Sequence, residues 1–249
     1  MKCLVIHGSP RRGNTWDVLN LVKEEMKKNG DVEFIDIELR KQGIPSCVGC
    51  FNCIMKGENK CPHKDIISNI TTKLEKADAL IITSPVYSLQ VTGLLKDFID
   101  HMSYNFHRPR FFTKKALVIT TTAGAGHTDA ANYIKKVLHY WGFNYVNTLP
   151  IAYRGLELNN KNNERIHKAA KNFMNDLNSN KLHKPSIKSV AMFNIWRGMA
   201  NEKNKFGSAD YDYWNETELN KYPFSPKVEI GILKNGIGNF IYKMMKKHK

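Results

Sequence analysis

Long apolar runs are missing from this 249-residue sequence. None approaches the roughly 18 consecutive apolar residues that a membrane-spanning helix needs. The start also lacks the apolar core and cleavage site of a secretion signal, because Met1 and Lys2 lead directly into a strand pattern. We therefore expect a cytoplasmic protein. With 42% hydrophobic residues, the chain can bury the core of one α/β domain that carries an appendage.

Acidic residues are too few to balance the basic ones. Lys and Arg number 38 against 23 Asp and Glu, which gives a formal net charge of +15. This balance favours anionic partners such as a phosphorylated dinucleotide, an acidic redox protein or a nucleic acid. A nucleic acid is the least favoured of these, because there is no Arg-rich tract and the aromatic residues do not alternate with Lys and Arg.

A loop rich in Gly, Ser, Asn and Thr follows the first apolar run. A predicted strand over residues 3–6 and a predicted helix over 16–28 flank this loop, so the free N–H groups of the helix point into it and form an anion site. The loop lacks the Gly-Lys-Ser/Thr of a P-loop and the third glycine of the dinucleotide fingerprint. The alternative is an ordinary turn with a polar cap. The candidate phosphate-binding residues are Ser9, Arg11, Gly13, Asn14 and Thr15.

Strand and helix patterns alternate over residues 1–180. Strands are predicted at 3–6, 32–37, 79–82, 116–120 and 145–149, and helices at 16–28, 65–76, 92–104, 129–141 and 162–177. Alternation of this kind predicts a parallel sheet with right-handed crossovers. Five such strands fit a flavodoxin-like, three-layer α/β sandwich of strand order 2-1-3-4-5, whose ligand crevice lies at the carboxyl ends of strands 1 and 3.

The alternating pattern ends near Lys181. Prolines and an aromatic segment over residues 211–224 read as irregular structure, followed by a short basic helix over 237–249. We expect residues 1–180 to form one domain and 181–249 an irregular extension that packs on it or on a second subunit. Membrane binding by the last helix is disfavoured because its apolar face is short.

Two further loops, after the third and fourth strands, strengthen the prediction of a ligand site. Together with the first loop they resemble the flavodoxin-like NAD(P)H-dependent FMN reductases. The resemblance implies that the first loop holds the FMN phosphate, the second runs along the isoalloxazine ring, and the third skirts its pyrimidine edge. The residues it assigns to the second and third loops are Pro85, Val86, Tyr87, Ser88, Thr121, Thr122, Ala123, Gly124 and Gly126.

Four of the five cysteines form the pattern C-x2-C-x2-C-x7-C: Cys47, Cys50, Cys53 and Cys61. Thiolates three residues apart can converge on a [4Fe–4S] cluster, whereas zinc more often uses two separated pairs. The motif is similar to that of the iron–sulfur flavoproteins. Many related flavin reductases, however, keep a similar segment as a cluster-free loop over the flavin edge. Cys3, on the first strand, is predicted to be a small buried apolar residue.

The resemblance implies an FMN-dependent NAD(P)H oxidoreductase, with hydride passing from NAD(P)H to FMN and on to a small-molecule or protein acceptor. We expect a homodimer. One alternative is an electron-transfer module that uses a [4Fe–4S] cluster, and a second is a basic binding protein that has lost its cofactor. Candidates for contacting the dinucleotide phosphates are Arg11, Arg12, Arg108 and Arg110. Residues 104–112 are expected to form a wall of the crevice or a dimer contact.

Overall fold

The computed structural model describes residues 1–153, 158–203 and 208–247. Its centre is a sheet of five parallel strands in the order β2-β1-β3-β4-β5. The strands are β1 (Lys2–His7), β2 (Glu33–Glu38), β3 (Ala79–Pro85), β4 (Lys115–Thr122) and β5 (Tyr145–Ala152). The predicted flavodoxin-like order is confirmed.

Burial along the strands explains why the sequence pattern is readable. The central strands β1, β3 and β4 are buried almost throughout, because helices cover both faces of the sheet. The edge strand β2 has a single buried residue, Ile37, and the edge strand β5 has three buried residues among partly exposed ones. Cys3 is fully buried in β1, as predicted.

Helices form the two outer layers of the sandwich. Those of the first 180 residues are α1 (Asn14–Lys28), α2 (Asn52–Met55), α3 (Lys64–Lys76), α4 (Gly93–His101), α5 (Tyr104–His107), α6 (His127–Tyr140) and α7 (Asn160–Asn178). Helices α3, α4 and α6 pack on one face of the sheet, and α1 and α7 pack on the other. The single helix predicted over 92–104 is in fact two, α4 and α5.

Three segments of the C-terminal extension are helical among the described residues: α8 (Ile187–Met199), α9 (Ala209–Glu216) and α10 (Gly231–Lys247). The prediction of irregular structure is wrong for α8 and α9. The helix predicted over 237–249 is confirmed, although it begins earlier, at Gly231. Helices α8 and α9 lack a clear helical period in the sequence, and long-range aromatic packing stabilises them. Phe193, Trp214 and Phe224 cluster with Phe112, which precedes β4. The division at residue 180 stays a prediction.

The extension contacts residues 104–112 directly. The Trp214 indole N–H donates to the carbonyl of His107 at 3.0 Å, and the Tyr213 hydroxyl donates to that of Pro109 at 2.6 Å. Residues 104–112 thus support the C-terminal helices of the same chain. Within the described residues, no helix is long and apolar enough to cross a bilayer.

Candidate functional site

Gly8 joins the end of β1 to the end of β3. Its N–H donates to the carbonyl of Thr83 at 2.9 Å, and the Thr92 hydroxyl donates to the carbonyl of Gly8 at 2.6 Å. A Cβ atom on Gly8 would lie 2.6 Å from the Thr83 carbonyl oxygen, so a larger residue would force the two strand ends apart. The loop after β1 is therefore fixed against β3.

Helix α1 begins without a side-chain cap. Its N-cap is Gly13, which has no side-chain oxygen. Helices α3, α6 and α9 also begin without such a cap, whereas the side chains of Thr92, Asn159 and Ser186 cap α4, α7 and α8 by accepting a backbone N–H. The start of α1 therefore presents N–H groups and the positive end of the helix dipole to its loop, which is what a phosphate group needs.

The loop side chains lie around this helix start. The Ser9 hydroxyl donates to the carbonyl of Arg11 at 2.6 Å and holds the loop in a tight turn. Arg11 and Asn14 are exposed. The Arg12 guanidinium lies 4.6 Å from the centre of the Trp16 ring, which fixes its charge beside the loop.

Thr15 has a different position from the other predicted phosphate ligands. It is buried, and its hydroxyl oxygen lies 2.5 Å from that of Thr121 on β4. This hydrogen bond joins α1 to β4. Thr15 therefore positions the loop, and its hydroxyl is already engaged.

A buried histidine, His7, lies next to the loop after β1. Sequence analysis gave it no role. The Nε2 of His7 lies 2.6 Å from a carboxylate oxygen of Asp36, and its ring stacks on Trp16 with centroids 4.2 Å apart. Lys23 donates to the same carboxylate oxygen at 2.6 Å. Burial alone would raise the pKa of Asp36, but the hydrogen bonds from His7 and Lys23 hold it below its usual value.

The turn after β3 begins with two half-buried apolar residues. The N–H of Val86 donates to the carbonyl of Thr121 at 2.8 Å, which places Pro85 and Val86 beside β4. Tyr87 follows with 45% of its side chain exposed. An apolar edge and an accessible aromatic ring therefore lie next to the loop after β4.

A strained hairpin closes this turn. Tyr87 and Gln90 exchange backbone hydrogen bonds of 2.9 and 3.0 Å. The two residues between them, Ser88 and Leu89, have φ angles of 49° and 65°, a region that residues with side chains rarely adopt. The hairpin rests on Gly126, where a Cβ atom would lie 2.8 Å from the Cα of Leu89 and where φ is 86°.

The loop after β4 is small and open. The Thr122 hydroxyl accepts the N–H of Gly124 and donates to the carbonyl of Ala125, both at 3.1 Å. Ala123 and Gly124 are exposed, and a Cβ atom on Gly124 would meet nothing within 4 Å. The three predicted loops thus meet at one edge of the sheet, leaving main chain accessible there.

The four cysteines of the motif line one cavity of about 320 Å³. Cys47 and Cys50 are exposed, and Cys53 and Cys61 are partly buried. All four are free thiols. Burial raises the pKa of the Cys53 thiol, although a hydrogen bond with Ser103 opposes this. Cys53, which lines this cavity, and Val86, in the turn after β3, both pack against the same cluster of buried apolar residues.

Comparison with known proteins identifies the family. Residues 1–153 match the family model described as NADPH-dependent FMN reductase. The chain belongs to this family. It is therefore an NAD(P)H-dependent flavin oxidoreductase, with FMN as cofactor and NAD(P)H as co-substrate.

Two relatives and one solved structure are similar to this chain over most of its length. The chain is 31% identical to an iron–sulfur flavoprotein from Archaeoglobus fulgidus, over 87% of this chain and 98% of the relative. It is 30% identical to an iron–sulfur flavoprotein from Clostridioides difficile, over 68% of this chain and 76% of that protein. The NAD(P)H:quinone oxidoreductase from Methanothermobacter marburgensis shares the fold, with a TM-score of 0.55, 17% identity, and coverage of 72% of this chain and 97% of that one.

Two histidines beside the cysteines escaped sequence analysis. His101 is buried at the end of α4, and its Nδ1 lies 3.9 Å from the sulfur of Cys61. The ring of His63 meets the ring of His101 edge-on, with centroids 5.2 Å apart. Because 40 residues separate His101 from Cys61, no local spacing signalled the contact.

Two arginines that were predicted to contact dinucleotide phosphates instead form ion pairs with carboxylates of the same chain. Arg108 is 1% exposed and binds Asp210 and Glu58 through its guanidinium, at 2.5 and 3.1 Å. Arg110 binds Glu58 and Glu75. Their charges are neutralised by these carboxylates, so the prediction for Arg108 and Arg110 is wrong. Arg11 and Arg12 lie at the loop after β1.

Proposed function

We propose that this FMN reductase is an iron–sulfur flavoprotein that oxidises NAD(P)H and passes the electrons to a small-molecule or protein acceptor. The proposal depends most on one observation: the four cysteines of the motif line a single cavity as free thiols. The names of the relatives from Archaeoglobus fulgidus and Clostridioides difficile support it.

The FMN phosphate is proposed to bind at the loop after β1. The uncapped start of α1 supplies N–H groups, and Ser9, Arg11 and Asn14 stand around it. Hydrogen bonds to a charged phosphate are stronger than neutral ones, so the Ser9 hydroxyl would exchange the carbonyl of Arg11 for a phosphate oxygen when FMN binds. Thr15 keeps the loop in place through Thr121.

The flavin ring is proposed to lie between the turn after β3 and the loop after β4. Pro85 and Val86 offer an apolar edge, and Tyr87 an exposed aromatic face. The exposed small residues Ala123 and Gly124 allow a close approach of the main chain to the pyrimidine edge, where a reduced ring carries negative charge. The strained Tyr87–Gln90 hairpin, seated on Gly126, keeps these two loops together.

The cysteines suit a [4Fe–4S] cluster by their chemistry. Four thiolates are the usual ligand set, and Cys47, Cys50 and Cys53 have the three-residue spacing that places sulfurs around a cube. Cys61 supplies the fourth. When bound, FMN takes up hydride from NAD(P)H and a cluster carries single electrons. The chain itself would bind FMN and the cluster, orient them, and limit the access of water to them.

Iron and sulfide analysis tests the cluster. Protein purified and reconstituted without oxygen should contain FMN, about four iron and four sulfide per chain, and a broad absorbance near roughly 400 nm. The Cys50→Ser variant should lose iron and sulfide and keep FMN. Wild-type protein that binds FMN but never takes up iron would leave the alternative, a cluster-free reductase with a cysteine loop.

We also propose a homodimer that uses α10. Four large apolar side chains of this helix are exposed: Ile232 by 94%, Leu233 by 73%, Phe240 by 65% and Met244 by 44%. Apolar surface of this extent on one helix is typical of an interface. Light scattering should give a dimer for the wild type and for the surface control Asn235→Glu, and a monomer for Leu233→Glu combined with Phe240→Glu. A wild-type monomer would contradict the proposal.

A further inference from the structure

We propose that Cys61, His63 and His101 form a binding site for a divalent metal ion of the Zn²⁺ type. One ligand atom from each of the three residues lies within 4.8 Å of the others. Thiolate sulfur and imidazole nitrogen are the ligands that zinc prefers. The site would use neither Cys47 nor Cys50, which separates it from the cluster motif.

The distance between two of the ligands is close to what coordination requires. Zinc–sulfur and zinc–nitrogen bonds of about 2.3 and 2.0 Å place the two ligand atoms about 3.5 Å apart at a tetrahedral angle, and about 3.7 Å apart at 120°. The sulfur of Cys61 and the Nδ1 of His101 are 3.9 Å apart. An ion between them therefore needs only a small movement of either side chain.

His101 is oriented for this role by a second hydrogen bond. Its Nε2 lies 2.8 Å from the carbonyl oxygen of Pro45, which can only accept, so this nitrogen carries the proton. The Nδ1 of the neutral ring then has its lone pair free on the side of Cys61. A backbone carbonyl that fixes the tautomer of a metal-binding histidine is the usual outer partner of such ligands.

The remaining ligand comes from the segment that also carries Cys61. His63 is two residues further along, directly before α3, and its ring already contacts that of His101. Both histidines line the same cavity of about 320 Å³, together with Asp100 and Ser103. The cavity leaves room for a fourth ligand such as water, the arrangement of three-ligand zinc sites.

Sharing of Cys61 makes the two metal sites exclusive. The [4Fe–4S] cluster and the three-residue site both need the sulfur of Cys61. That the two cannot be occupied together rests on the proposed function, whereas the three-residue site itself does not. The cysteine pocket would then hold either a cluster or one divalent ion. Zn²⁺ bound at the three residues would keep the protein free of cluster.

Metal titration of the full-length, metal-free protein tests the site. The affinity for Zn²⁺ is measured by competition with a coloured chelator. Co²⁺ serves as a spectroscopic probe of sulfur and nitrogen ligation. We expect one ion per wild-type chain, and the same affinity within about threefold for Cys50→Ser. The variants His63→Ala and His101→Ala should each bind more than about tenfold more weakly. His63 is only partly buried, so its variant keeps the test valid if His101→Ala fails to fold.

The same variants separate this proposal from the cluster. Iron reconstitution should succeed for His63→Ala and fail for Cys50→Ser, the reverse of the Zn²⁺ result, and cluster-loaded wild type should bind no Zn²⁺ here. Equal Zn²⁺ affinity in wild type and His63→Ala, or loss of Zn²⁺ in Cys50→Ser, would overturn the site. If no cluster forms but Zn²⁺ follows the expected pattern, the proposed cluster fails and the zinc site stands.

Discussion

The hydroxyl groups of Thr15 and Thr121 share a buried hydrogen bond of 2.5 Å between α1 and the end of β4. Replacing either residue by Val leaves the other hydroxyl buried without its partner, which should lower the free energy of unfolding by about 1–3 kcal/mol. The double variant should cost less than the sum of the two, because no unpaired hydroxyl remains. Urea denaturation of the four proteins measures this coupling. Strictly additive losses would contradict it.

Gly8 and Gly13 provide a matched pair in the loop after β1. A Cβ atom at Gly8 meets the Thr83 carbonyl oxygen at 2.6 Å, whereas one at Gly13 meets nothing within 4 Å. We expect Gly8→Ala to lower the melting temperature by several degrees and to weaken FMN binding, because β1 and β3 must separate. Gly13→Ala should change the melting temperature little. Similar melting temperatures for the two variants would show that this close approach is unimportant.

Asp210 connects the C-terminal helices to the cysteine segment. Its carboxylate binds Arg108 at 2.5 Å and His107 at 2.8 Å, and Arg108 also donates to the carbonyl of Cys53. Asp210→Asn leaves a buried guanidinium with Glu58 as its one remaining charged partner among the described residues, so the free energy of unfolding should fall by about 3 kcal/mol.

A neighbouring carboxylate in α9 supplies the control. Asp212 lies 3.7 Å from Lys203 at the surface, and Asp212→Asn should change the free energy of unfolding by less than about 0.5 kcal/mol. Chemical denaturation compares the two variants. If Asp210→Asn is no more harmful than Asp212→Asn, the Arg108 contacts do not hold the extension in place.

Ionisation of Glu38, at the end of β2, makes the free energy of unfolding depend on pH. Hydrogen bonds from Lys41 first, and from Arg40 and Arg12, lower the pKa of Glu38 from 4.5 to about 2. Because the folded pKa is depressed, the stabilisation is complete above pH 4.5 and is lost as pH falls toward 2.

Comparison with Glu38→Gln isolates this contribution. The difference in free energy of unfolding between wild type and Glu38→Gln should stay constant from pH 5 to 7 and shrink from pH 4.5 downward, as measured by urea denaturation. Glu33→Gln, an exposed change on the same strand, should show no such trend. A difference independent of pH would contradict the assigned contacts.

The sheet and its loops were predictable because their signals are local. Strands covered on both faces become short apolar runs, and Gly8 and Gly13 mark the loop between a strand and a helix. One contact could have been anticipated: Thr92 stands where a helix N-cap is expected, although its hydroxyl also reaches Gly8.

Long-range contacts account for what the sequence analysis missed. His7 meets Asp36 across 29 residues, and Arg108 reaches Asp210 across 102. No spacing rule covers such pairs. An exposed arginine and a buried, neutralised one have the same appearance in a sequence, which explains the wrong prediction for Arg108. Helices α8 and α9 were missed because aromatic packing on Phe112, rather than helical periodicity, stabilises them. The helix at the C-terminus was predicted from its amphipathic, basic pattern.

The proposed position of the FMN phosphate is tested most directly by comparing FMN with riboflavin, which lacks that group. Ser9→Ala combined with Asn14→Ala should weaken FMN binding by about 10- to 100-fold, equivalent to about 1.4–2.8 kcal/mol. Riboflavin affinity should stay within about threefold, because the loop after β1 would touch only the phosphate. Fluorescence titration of both ligands gives the four constants. Equal losses for FMN and riboflavin, or no loss for either, would contradict a phosphate held at the start of α1.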